Sequence, residues 1–112
     1  MYQLYGIPNC NTVKKAKMWL EDNGIEFKFF NFKKETPTLK MLTRWEKFFG
    51  DIPANKKGPT FRKIKEEFES ESKVGQRNLL LKNLSAIKRP ILEKSEETLY
   101  IGFKEEDYRN LF

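Results

Sequence analysis

Residues 2–32, YQLYGIPNCNTVKKAKMWLEDNGIEFKFFNF, read as three successive elements. The opening YQLYGI alternates, is rich in β-formers and is bounded by Gly6 and Pro8, which predicts a strand over residues 2–6. From Asn11 to Asp22 the apolar residues Val13, Ala16, Leu20 and the neighbouring Trp19 recur at helical spacing, with Asn9 or Asn11 as the expected cap and Asn23-Gly24 as the stop. IEFKFFNF, residues 25–32, carries Ile25, Phe27, Phe29 and a run through Phe32, and predicts a second strand. Connections this short imply a right-handed crossover with the two strands parallel.

Beyond this unit the pattern turns helical. Pro37, with Thr36 before it, opens a segment in which Leu39, Leu42, Trp45, Phe48 and Phe49 line one face up to Gly50. Pro53, Gly58 and Pro59 mark a loop in DIPANKKGPT. Two further helices are expected, over FRKIKEEF and QRNLLLKNLSAI, separated by the polar ESESKVG. RPILEK and TLYIGF, parted by SEE, predict a hairpin, and KEEDYRNLF a closing helix. A parallel pair completed by an antiparallel hairpin is the arrangement of a thioredoxin-like α/β fold, a four-stranded mixed sheet with a helical insertion at about residues 37–86. At 112 residues the chain is expected to form one domain.

Composition narrows the chemistry. The chain has one cysteine and no histidine, so an internal disulfide, the cysteine spacing of a zinc site and the commonest general base are all absent. No apolar run approaches the roughly 20 residues that span a bilayer, and no leader pattern opens the chain, so a cytoplasmic location without membrane association is expected. The net charge of +6 favours anionic partners or serves only a solvated surface, since the lysines are scattered among glutamates. Direct nucleic-acid binding has no motif to support it.

Cys10 falls in the turn between the first strand and the first helix. Unpaired N–H groups and the positive end of the helix dipole favour a thiolate there, and Lys14 and Lys15 lie one turn on. The same N–H groups, those of Asn11 and Thr12 at the helix start, suit an anionic substrate. A half-buried structural cysteine is the alternative. Arg89, in IKRP, stands at the entry to the third strand with a rigid fork suited to an oxyanion, or is an ordinary loop arginine; the Arg89-Pro90 bond is a candidate cis peptide. The basic loop NKKGPTFRK, with Lys56, Lys57, Arg62 and Lys63, is a solvated loop, an anion contact or a protein interface.

The segments LYGIPNCNTVKKAKMWLEDNGIEF, KKGPTFRKI, IKRPIL and IGFKEEDYRNLF together resemble the arsenate reductase family of the glutaredoxin-coupled, thioredoxin-fold type, ArsC-like proteins that include the Spx-type transcriptional regulators and a group of small, poorly characterised reductase-like proteins. The pattern YGI-x-NC-x-T is most similar to this last group. The resemblance implies that Cys10 is the nucleophile and that Arg89 matches the arginine of the Arg-Pro motif. In the arsenate reducers the thiolate attacks an arsenic oxyanion held by arginines, and glutathione and glutaredoxin complete the reduction. A second family arginine falls at or near Lys57, a third has no counterpart in SEETLYIGF, and the family His and Asn ahead of the proline are Gly6 and Ile7. The C-x-x-C switch of the Spx type is broken by Val13.

What the resemblance leaves is a glutathione-dependent thiol reductase with a single nucleophilic cysteine, glutathione acting as co-substrate without any tightly bound cofactor. Asn11, Thr12, Lys57 and Pro90 are then the expected substrate contacts, with Pro90 offering a backbone edge to the peptide. The alternative is an Spx-like regulatory protein that binds RNA polymerase or another partner.

Overall fold

The computed structural model describes residues 1–112, the whole chain. Its elements are β1 (Tyr2–Gly6), α1 (Asn11–Asp22), β2 (Phe27–Asn31), α2 (Leu39–Phe49), α3 (Pro59–Ser70), α4 (Lys73–Lys82), a short 3-10 turn (Leu84–Ala86), β3 (Ile91–Lys94), β4 (Glu97–Ile101) and α5 (Glu105–Leu111). The chain divides into two compact units, one built from residues 1–35 and 89–112 and the other from residues 36–88.

The first unit holds the sheet, in the order β2-β1-β3-β4. β1 runs parallel to β2 and antiparallel to β3, so that Leu4 sits opposite Phe29 on one side and Leu92 on the other. The alternation in YQLYG turns Leu4 inward, and α1 covers it with Ala16 and Leu20, spaced one turn apart. Tyr108 of α5 completes this core, its ring edge-to-face with Trp19, Tyr100 and Phe103 at centroid distances of 5.6, 5.6 and 4.7 Å. The sheet is mixed and four-stranded, as the strand-helix-strand reading plus hairpin requires. β2 starts at Phe27 and not at Ile25 because the Ile25 N–H donates to the Leu20 carbonyl at 2.9 Å, closing α1 after Gly24 at φ 67°. The turn between β3 and β4 places Ser95 and Glu96 at φ 51° and 64°, the pairing of two left-handed residues that matches strand twist in a two-residue hairpin.

The second unit is helical. α2 begins after Thr38, whose hydroxyl accepts from the Met41 N–H at 3.1 Å, so the first helical residue is Leu39, beyond Pro37, where the sequence places the start. Leu42 and Trp45 are wholly buried, whereas Leu39, Phe48 and Phe49 are 51%, 47% and 41% exposed, so the apolar face read from spacing is only partly covered. Pro59 takes the first position of α3, where its missing N–H costs nothing, and the helix therefore starts inside the expected loop. Ser72 caps α4, which draws Lys73, Val74 and Gly75 out of the expected linker. Arg77 of α4 grips Glu46 of α2 through two hydrogen bonds of 2.6 and 3.0 Å.

Candidate active site

The site grows out of the turn that leaves β1. Gly6 ends the strand where an added Cβ would lie 2.8 Å from Val13 Cγ2, so the strand and the first turn of α1 approach more closely than any side chain at position 6 permits. Ile7, 4% exposed, anchors the turn, and its carbonyl accepts from the Cys10 N–H at 3.3 Å. Cys10 then turns into α1 with φ −97° and ψ 126°, and its carbonyl takes the first helical hydrogen bond, from Lys14 N–H at 3.0 Å. The capping residue is thus Cys10 itself, in place of the Asn9 or Asn11 expected from sequence.

A capping side chain is aimed at the N–H groups of the second and third helical residues. Here those residues are Thr12 and Val13, and the side chain is a thiol, which makes no capping hydrogen bond of its own. Partial burial pushes the Cys10 thiol up, but the Val13 N–H, the positive charge of Arg89, the Thr12 N–H and a hydrogen bond from Arg89 together outweigh it, and the pKa lies below the ordinary thiol value. Lys14 and Lys15 point their charge into solvent, and the cation that acts on the sulfur is Arg89.

Arg89 reaches the sulfur because of register. Tyr5 pairs with Ile91 across the β1–β3 ladder, which sets the residues just before β3 at the same end of the sheet as the turn carrying Cys10. The Arg89-Pro90 peptide is cis. Pro90 is buried, and its carbonyl accepts from the Gly102 N–H at 2.8 Å, fixing the entry to β3 against the residue that follows β4.

Of the expected site residues, Cys10, Asn11, Thr12, Arg89 and Pro90 all belong to the sheet unit. Asn11 is exposed at the first helical position and Thr12 half-buried at the second. Lys57 belongs to the helical unit, where it is exposed in the loop between α2 and α3 and borders a recess with Phe49 and Lys88. Sequence reading missed the contact of Gly6 with Val13. Its only local signal was a glycine at a strand end followed by a helix whose first inward residue is β-branched.

The ArsC family matches residues 5–111. An uncharacterised protein of Haemophilus influenzae is 39% identical over 114 residues, spanning 100% of this chain and 99% of its own length. A Listeria innocua protein named global transcriptional regulator Spx is 30% identical over 112 residues, 97% of this chain and 85% of that protein. The solved structure of an arsenate reductase (ArsC) related protein from Brucella melitensis superposes with a TM-score of 0.73 at 38% identity, covering 97% of this chain and 92% of that one. Matched along nearly its whole length in sequence and in fold, the chain belongs to the ArsC family, with the thioredoxin-like architecture of the arsenate reductase-like proteins.

Proposed function

We propose that this protein is a glutathione-dependent thiol reductase in which Cys10 is the nucleophile and Arg89 holds it as a thiolate. The observation that carries the reading is the lowered pKa of a lone cysteine standing in the cap of α1 beside Arg89. The thiolate is the attacking species in disulfide exchange, and a thiol whose pKa is brought towards ambient pH attacks fastest.

In the first step the Cys10 thiolate attacks the glutathione sulfur of a mixed disulfide. A new disulfide forms between Cys10 and glutathione, and the substrate leaves as its thiolate. With Cys10 the only cysteine, no internal thiol resolves this intermediate. A second glutathione thiolate attacks the glutathionyl sulfur, Cys10 leaves as thiolate, and oxidised glutathione is released. One mixed disulfide is reduced for each free glutathione consumed, the released oxidised glutathione pairing that thiol with the glutathionyl sulfur taken from the substrate. The N–H groups of Asn11 and Thr12 face anionic groups of the peptide in this reading. Arsenate is a poorer substrate in the same reading, because Gly6 and the buried Ile7 bring no polar side chain to the turn.

The test is intact mass after incubation of the native protein with oxidised glutathione. The wild type gains one glutathionyl group and Cys10→Ser gains none; a wild type that remains unmodified overturns the reading. A second reading, a regulatory module that docks on RNA polymerase, is favoured by the likeness to the Listeria Spx protein. Polymerase subunits retained equally by wild type and Cys10→Ser, together with an unmodified wild type, would establish it in place of the first.

A further inference from the structure

The helical unit has a cavity of its own, about 510 Å³, whose lining includes no residue of the sheet unit. Its floor is Ile52, Phe61 and Phe68, and the two rings meet edge to face at 5.0 Å with an interplanar angle of 70°. These three residues are 2%, 3% and 5% exposed, so the apolar floor is narrow and takes only a small apolar group. The size falls within the range of about 300–1,000 Å³ typical of small-molecule sites.

The rim is charged, and its charges do not cancel. Lys73 is taken by Asp51 at 2.8 Å, and Lys65 stands 4.0 Å from Glu69. Lys56 and Arg62, on the same rim, are exposed; Lys56 also acts on Asp51 through its charge, and the rim sets four cations, Lys56, Arg62, Lys65 and Lys73, against two acids, Asp51 and Glu69. Two cations are therefore left over, mounted on long aliphatic stems that extend the apolar wall upward. A bare anion would use the cations and ignore the floor, and a neutral hydrocarbon would use the floor and ignore the cations.

We infer that this cavity binds a small amphipathic anion, an aryl or branched-alkyl body seated over Phe61 and Phe68 with its acid group between Arg62 and Lys56. The site is separate from Cys10 and does not rest on the thiol chemistry proposed above.

The test uses the full-length protein and anilinonaphthalene sulfonate as the probe, followed by its fluorescence and by amide shifts of the labelled protein. One-site binding is expected, with the largest shifts at Phe61, Phe68 and Gln76. Arg62→Gln and Lys56→Gln each weaken it about tenfold, and Arg62→Lys retains most of it, because a charge-assisted contact is lost in the first two and kept in the third. Phenylnaphthylamine, which lacks the sulfonate, binds at least about tenfold more weakly for the same reason. Both glutamine changes lie at exposed positions, and an unaltered urea midpoint shows that they remain folded. Equal binding by all variants, shifts confined to residues 1–35 or 89–112, or inorganic sulfate binding as tightly as the probe would each overturn the proposal.

Discussion

The two units of this molecule differ in what their best-placed cations do. In the helical unit two of them tie elements together: Arg77 forks onto Glu46, Lys73 reaches Asp51, and both acids are held below their usual carboxyl range, first by the hydrogen bonds from those cations. In the sheet unit the cation at the end of the ladder, Arg89, acts on a thiol. The first arrangement fastens a unit whose helices α2, α3 and α4 each bury two residues. The second can direct a cation at a reactive atom because strand register and an aromatic core already fix the scaffold. Position at the end of the ladder is what brings this cation to the sulfur.

The contrast breaks first at the sulfur. With Cys10→Ser, glutathione-dependent disulfide reduction should fall to background in a coupled turnover assay; residual turnover comparable to wild type would remove chemistry from the sheet unit. Next comes the scaffold. Gly6→Ala should cost about 1–3 kcal/mol in urea unfolding, the usual penalty for overpacking, because Val13 is stiff, wholly buried and only 2.8 Å from the new methyl group. Val13→Ala in the same chain should recover most of that loss.

A smaller effect separates the charge from the helix. Cys10 alkylation followed against pH should show its inflection below the ordinary thiol value, and Arg89→Gln should move the inflection upward by removing the charge and the hydrogen bond. Arg89→Lys should fall between, keeping the charge without the fork. An inflection unmoved by Arg89→Gln would leave the helix N–H groups as the whole cause. The smallest effect is expected in the helical unit. Glu46 has a lowered folded pKa, so its contribution to stability is present above the unfolded carboxyl value, ordinarily 4.5, and is lost as pH falls through the folded value. Arg77→Gln should therefore flatten the acid side of the stability profile while leaving Cys10 alkylation unchanged.

Much of this architecture is written locally. Residues 2–32 announce strand, helix and strand because alternation and helical spacing are properties of neighbours in the chain. Caps are less legible: Asn9 and Asn11 have the right chemistry, but Cys10 occupies the position, because position depends on where the backbone turns. The spacing of Leu39, Phe48 and Phe49 marks an apolar stripe without saying how much of it is covered. The meeting of Arg89 with Cys10 has no local signal at all. It depends on Tyr5 pairing with Ile91, and only the family resemblance brought the two residues together in advance.

The cap of α1 has one more consequence. Oxygen-bearing residues close helix starts well, and exchanging them for a poor cap typically costs about 0.5–2 kcal/mol. This chain places sulfur there, a weaker acceptor than oxygen for the Thr12 and Val13 N–H groups. Under the proposed function, thermal robustness is given up at the position of the nucleophile. An inert Cys10→Asp variant should accordingly melt several degrees higher than the wild type, on the order of 4–8 °C for each kcal/mol recovered.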